Sequence, residues 1–259
     1  MIKLVASDMD GTLLKHGAQT LPEKMIPIIQ GLNEKNIRFV AASGRQYNGL
    51  RKLLGPVAPL CDYICENGAM AVHNGEIIYK ALFDHDLCHE IMKDILAHEE
   101  CEIQLSAPEG VYIQPKDPSY AWHVKNVLNN ITIETDNIFE TGAEYIKISA
   151  YVHGDTTMEC LKDFEKTWGK ELLVVSTCDH WIDFVPSHIH KGSALQALLD
   201  VLKISPSEVM SFGDNYNDAE MLSMSGESYA MSTAVPGLFK IAKHTCENVA
   251  DVLESIAFS

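Results

Sequence analysis

Residues 1–80 alternate short apolar runs with longer amphipathic segments, the rhythm of strand–helix–strand units around a parallel sheet. Residues 2–7 read as a buried strand. Residues 22–36 follow as a helix, with Pro22 near its first turn and Pro27 expected to distort or delay its start. A strand at 37–42, a helix at 46–54 and a short strand at 63–65 complete this stretch. The pattern then changes, because 69–73 and 76–80 flank Asn74-Gly75, a strong two-residue hairpin signal that introduces antiparallel pairing.

Between 82 and 186 the order of elements is mixed: helix 84–98, strands 102–105 and 110–114, helix 118–129, strand 145–152, helix 156–168, and strands 172–176 and 181–185. This reads as an α+β module inserted into the first domain. Beyond Pro186 the parallel rhythm returns, with helix 191–202, strand 208–212, helix 217–224 and a last helix at 249–257. The whole is an α/β chain, a doubly wound parallel sheet carrying an insertion.

Composition narrows the function. A net charge of -16 would repel a nucleic-acid backbone, so small substrates are the better expectation. The same field repels phosphate esters, so an enzyme acting on them needs local cations. The seven cysteines are scattered, without the paired spacing of a zinc or redox motif, and read as reduced core residues. The N-terminal apolar run is too short for a signal peptide's core, and no stretch approaches the roughly 20 apolar residues of a membrane span. A cytoplasmic protein is expected.

Three loops carry chemistry. Asp8-Met9-Asp10-Gly11-Thr12 leaves the first strand at the carboxyl edge of the sheet, where such sheets bind ligands. Alternation would put Asp8 and Asp10 on one side of an extended segment, with Gly11 allowing a tight departure. A plain solvated turn is the rival reading. A calcium loop fails, because the twelfth position is Gln19 rather than Glu. Ser43-Gly44-Arg45 ends the second strand, where Ser43 can bind a phosphate oxygen or simply cap the next helix.

Gly213-Asp214-Asn215-Tyr216-Asn217-Asp218 delivers more acids to the same edge. Four clustered carboxylates repel one another without a cation, and oxygen ligands of this kind suit Mg²⁺. Asp218 alone could instead cap the next helix. Lys191-Gly192 supplies a candidate cation: a lysine opening a helix opposes the helix dipole unless an anion is near. His188 and His190 read as rim residues, and Asn67-Gly68 follows the third strand at the same edge. Gly-x-Gly-x-x-Gly, Walker, His-Glu-x-x-His and Gly-x-Ser-x-Gly patterns are absent.

Taken in order, Asp-x-Asp-Gly-Thr, Ser-Gly-Arg, Lys-Gly and Gly-Asp-x-x-Asn-Asp resemble the haloacid dehalogenase superfamily, and the arrangement is similar to its Cof-type sugar-phosphatase branch. The resemblance implies a Rossmann-like core, 1–81 with 187–259, and an inserted α+β cap domain, 82–186. It implies Asp8 as nucleophile and metal ligand. Asp10 would be the acid/base and lend its backbone carbonyl to Mg²⁺, and Asp214 would complete the ligands. The Met9 and Gly44 amides with Ser43, Lys191 and Asn217 would hold phosphoryl oxygens, supported by Asp218, Asn67 and Arg45.

The activity so implied is Mg²⁺-dependent hydrolysis of small phosphate monoesters such as sugar phosphates through an aspartyl phosphate. A phosphomutase, or a non-catalytic binder of phosphorylated metabolites, is the alternative. No membrane or nucleic-acid partner is expected, and the chain would be a monomer or small homo-oligomer. Near the end Met231-Ser232-Thr233-Ala234 stands where the family usually has Met-Gly-Asn-Ala, which puts a supporting amide contact in question.

Overall fold

The computed structural model describes residues 1–14, 18, 20–128, 130–178 and 180–259, with the side chains of Thr177 and Cys178 outside the description. Gln19 and the predicted helix end at Asn129 lie outside the described residues. In chain order the elements are β1 (Leu4–Asp8), α1 (Met25–Glu34), β2 (Arg38–Ala42), α2 (Tyr47–Leu54), β3 (Cys61–Cys65), β4 (Met70–His73) and β5 (Glu76–Lys80). There follow α3 (His85–Ala97), β6 (Cys101–Ala107), β7 (Gly110–Ile113), α4 (Pro118–Asn126), β8 (Thr132–Glu134), β9 (Lys147–Val152), α5 (Thr157–Trp168), β10 (Leu172–Cys178) and β11 (Trp181–Pro186). The chain ends with α6 (Lys191–Leu202), β12 (Val209–Gly213), α7 (Ala219–Met224), β13 (Glu227–Met231), β14 (His244–Cys246) and α8 (Val249–Phe258).

Contacts divide the chain into two compact units, Met1–Lys80 with His190–Ser259, and Ala81–Ile189. The first holds an eight-stranded sheet in the order β14-β13-β12-β1-β2-β3-β4-β5. It is parallel from β14 to β3, and β4 and β5 join antiparallel. Strands covered on both faces are dominated by apolar residues, and β1 is buried along its whole length, with Leu4, Val5 and Ala6 giving way to Ser7 and Asp8 only at its carboxyl end. Leu4, Ala6, Val40, Ala42 and Ile64 pack against Ala194, Leu195, Leu198 and Leu199 of α6.

Register sets the site. Asp8 pairs with Ala42, Ala42 with Ile64, and Ser7 with Phe212, so β1, β2, β3 and β12 all end at one level. The segments that leave these strands therefore meet at one rim.

The second unit is a six-stranded sheet ordered β10-β11-β9-β6-β7-β8, antiparallel except for β7 with β8. Cys88, Ile91, Met92 and Ile95 of α3 and Cys160, Leu161 and Phe164 of α5 share a core with Ile103, Leu105, Ile148 and Phe184 of the sheet. Tyr120, Ala121 and Val124 of α4 pack with Val111, Ile113 and Trp181.

Several differences from the sequence reading have physical causes. The predicted helix 22–36 starts only at Met25, as Pro27 in its first turn required. The helix expected over 217–224 opens as a 3₁₀ turn, Tyr216–Asp218, before α7. Strands β8, β13 and β14 were not anticipated. Two have only three residues, and β13 carries Glu, Ser and Tyr rather than a β-branched run. Cys61, Cys65, Cys88, Cys101 and Cys160 are buried free thiols and Cys246 is half-buried.

Candidate functional site

The site begins where β1 stops. Gly11 (φ 97°) turns the chain sharply, the Leu13 and Leu14 amides donate to the Met9 carbonyl, and the Gly11 amide donates to Leu14. A side chain at Gly11 would strike the Asp214 carboxylate, so glycine lets the loop after β1 press against the loop after β12. Thr12, just beyond, donates its hydroxyl to Asp214 Oδ1 at 3.0 Å. Sequence reasoning gave Thr12 no role, although its place in Asp-x-Asp-Gly-Thr was the available signal.

Behind the rim, the segment after β3 is stitched to the segment after β2. The Asn67 amide donates to the Ser43 carbonyl and the Glu66 amide to that of Arg45. Glu66, Asn67 and Gly68 all take positive φ, which carries this loop against the start of α6, where a Cβ at Gly68 would collide with the His190 carbonyl. Asn67 also accepts from the Asn217 side-chain amide at 3.2 Å.

Lys191 opens α6 and is fully buried. Its Nζ donates to Asp8 Oδ1 at 2.5 Å and to Asp218 Oδ1 at 2.6 Å. These two carboxylates answer the unfavourable placement of a cation at a helix start. Asp218 stands at the N-cap position of α7, as one reading had it, but its side chain makes no capping hydrogen bond to that helix. Its second oxygen accepts the Asp214 and Asn215 amides, which closes the loop after β12 around Lys191.

Asp10 takes a different neighbour from Asp8. Arg45 grips its carboxylate through Nε at 2.8 Å and Nη2 at 2.5 Å, and the Ser43 hydroxyl approaches it at 3.4 Å. Ser43 does not cap α2, whose N-cap is Gln46; it accepts the Arg45 amide instead. His190 is not a bare rim residue either, since its ring accepts the Ser193 amide in a capping box. Near the far end, the Ser232 amide donates to the Cys246 carbonyl and the Val235 amide to the Asp214 carbonyl, so the turn after β13 that contains Ser232-Thr233 is anchored to β14 and to the loop after β12.

A family model described as haloacid dehalogenase-like hydrolase matches residues 5–257. The chain belongs to the haloacid dehalogenase-like hydrolases. It is 28% identical over 260 residues to 5-amino-6-(5-phospho-D-ribitylamino)uracil phosphatase YbjI of Escherichia coli, a match spanning 98% of this chain and 96% of the relative. It is 27% identical to the HMP-PP phosphatase of Cronobacter sakazakii, over 94% of this chain and 89% of that one. A crystal structure of a protein from Eubacterium rectale has a TM-score of 0.85 at 30% identity, covering 98% of this chain and 99% of its own.

In this hydrolase the acids outnumber the cation that holds them. One oxygen each from Asp8, Asp214 and Asp218 lies within 4.8 Å of the others. Burial drives the Asp8 carboxyl well above its ordinary 3.8; Lys191 opposes the rise, and Asp218 and Asp214 add to it. Asp214 is raised too, by burial first and by Asp218 next, with the Thr12 hydrogen bond opposing. Burial alone would lower Lys191, yet Asp218 and Asp8 drive it above its ordinary 10.5.

The two ends of the Lys191–Asp8 pair thus report opposite balances, for a plain reason. Lys191 faces two carboxylates, whereas Asp8 faces one ammonium and two further acids. Asp8 Oδ2 is buried and finds no hydrogen-bond partner among the described residues. The cluster is therefore short of positive charge.

A stability prediction follows from the sign of these shifts. Raised folded pKa values mean that the native state binds more protons than the unfolded chain, so stability falls as pH climbs from the ordinary 3.8 toward the raised values. In chelator, the denaturant midpoint should decline across that acid range through this cluster. The Asp8→Asn variant should show a shallower decline, and an equal slope in the two proteins would contradict the assignment.

Proposed function

We propose that this hydrolase is a phosphatase that cleaves small phosphate monoesters, with Asp8 as its nucleophile. The observation that carries the reading is the buried Asp8–Lys191–Asp218 chain, beside which the second Asp8 oxygen stays unpaired next to Asp214. A structural salt bridge would satisfy both oxygens, whereas a nucleophile has to keep one available. The relatives named as phosphatases act on phosphorylated metabolites by their names, and substrates of that class, sugar phosphates included, are proposed here.

The residues present fit a divalent cation. Oxygen donors on the ends of β1 and β12, an orphaned buried carboxylate oxygen and a deficit of positive charge suit Mg²⁺ better than a softer metal. Asp8 and Asp214 would hold it, with the main-chain carbonyl of Asp10 as the resemblance implies. Bound there, it would offset repulsion between the anionic nucleophile and the anionic ester.

The chain's own residues supply the rest. An Asp8 carboxylate oxygen attacks phosphorus, the ester P–O bond breaks, and the leaving oxygen takes a proton from Asp10. Asp10, now ionised, takes a proton from water as that water attacks phosphorus. The bond to Asp8 then breaks and phosphate departs. Lys191 and Ser43, with the Met9 and Gly44 amides and Asn217, neutralise charge on the transferring group. Arg45 fixes the Asp10 carboxylate beside Ser43, and Asn67 positions Asn217. The reading keeps the cytoplasmic location expected from the sequence.

The test is a phosphate-release screen over sugar phosphates, nucleotides and cofactor phosphates, run with Mg²⁺ and again with chelator. Release from at least one class, abolished by chelator, is expected; no release from any of them would overturn the reading. Within it, Thr12→Val removes the bond that holds Asp214 Oδ1. The Mg²⁺ concentration giving half-maximal release should rise by about tenfold, while the rate at saturating Mg²⁺ changes less.

A further inference from the structure

The second unit contains a cluster of metal-ligating side chains that the phosphatase reading does not use. His98 follows the end of α3, Glu100 precedes β6, and Cys160 lies in the first part of α5. One ligand atom from each lies within 4.8 Å of the other two. Cys160 Sγ is 3.4 Å from Glu100 Oε1, and His98 Nδ1 is 3.9 Å from the same oxygen. In a tetrahedral zinc site, metal–sulfur bonds of about 2.3 Å and metal–nitrogen or metal–oxygen bonds of about 2.0–2.2 Å separate neighbouring ligand atoms by roughly 3.3–3.7 Å. Small side-chain movements would close these three atoms onto one ion.

Two further features point the same way. The other nitrogen of His98, Nε2, faces Asp94 Oδ1 at 3.9 Å, and the Trp168 indole fixes Asp94 by donating to its other oxygen at 2.7 Å. A carboxylate behind the free nitrogen is how a metal-bound imidazole is held in its tautomer and orientation. Cys101, adjacent to Glu100, is a buried free thiol in the same core cluster as Cys160. His98 and Glu100 are half-buried, with side chains 25% and 41% exposed, so an ion can reach them.

We infer that His98, Glu100 and Cys160 form a binding site for a soft divalent cation of the zinc class, chemically distinct from the all-oxygen cluster around Asp8. Sulfur and imidazole select zinc over magnesium. Binding replaces the Cys160 S–H, now directed at Glu100, with a sulfur–metal bond and releases one proton to solvent. The ion would tie the end of α3 and the start of β6 to α5. The site holds whether or not Asp8 is a nucleophile.

The full chain, stripped with chelator, is titrated with Co²⁺ as a spectroscopic probe, and Zn²⁺ is then added to displace it. One equivalent should give a thiolate-to-cobalt charge-transfer band, in the parent protein and equally in Asp8→Asn. The band should vanish in Cys160→Ser, and Co²⁺ affinity should fall at least about tenfold in His98→Gln. No band in the parent, an unchanged band in Cys160→Ser, or loss of the band in Asp8→Asn would overturn the site. If Cys160→Ser fails to fold, the half-buried His98→Gln decides, and unchanged Co²⁺ affinity there rejects the proposal.

Discussion

Asp8→Asn is expected to slow phosphate release by roughly four orders of magnitude or more while leaving the fold intact. Asparagine matches aspartate in size and keeps an oxygen for Lys191, which retains Asp218 as its charged partner. What disappears is the anionic oxygen that attacks phosphorus. Stability should move the other way from activity. Burial is the largest influence on Asp8 and disfavours its charge, and Asp218 and Asp214 repel it further. Neutralising this group in the absence of metal therefore relieves a penalty, and the unfolding midpoint at neutral pH should hold or rise. Function commonly carries such a cost in stability. Turnover within tenfold of the parent would remove Asp8 from the chemistry.

Lys191→Met should have the largest effect on the fold. The ammonium is wholly buried between Asp8 and Asp218, and Asp218 is itself fully buried. Methionine fills similar space but leaves two desolvated carboxylates facing each other, a change that costs about 3–5 kcal/mol when one member of a buried ion pair is removed. Denaturant unfolding in chelator should show that loss. Adding Asp218→Asn to Lys191→Met should recover part of it, because the second change removes one of the stranded charges. A loss below about 1 kcal/mol for Lys191→Met would show that water reaches the pair and screens it.

Much of this arrangement was legible because its signals are local. Asn74 (φ 51°) and Gly75 (φ 83°) form the turn between β4 and β5 that their identities announce. The helix read over 191–202 coincides with α6, and the oddity of a lysine at its first position correctly pointed to an anion. The partners of that lysine come from residues far away in sequence. Their contact could be expected from the shared level of strand ends, but their distances could not. The same limit hid the division of labour between the first two acids. Alternation put Asp8 and Asp10 on one side, whereas the strand stops at Asp8 and Asp10 turns to Arg45.

Elements defined by neighbours rather than by their own residues were the ones missed. Strand β13 exists because β12 and β14 pair with it, not because Glu-Ser-Tyr-Ala-Met favours a strand. The same reasoning applies to His98, Glu100 and Cys160, which lie on either side of four strands, β6 to β9, and the helix α4. Their spacing resembles no metal motif, and only the core that α3 and α5 share against the sheet brings the sulfur to the imidazole.

Acid-quenching the enzyme during turnover of a phosphate ester, digesting it and locating the phosphoryl group by mass spectrometry bears most directly on the role given to Asp8. The group should sit on the peptide that contains Asp8, at a site abolished by Asp8→Asn. A phosphoryl group found on another residue, or active enzyme that never carries one under conditions that preserve acyl phosphates, would contradict it.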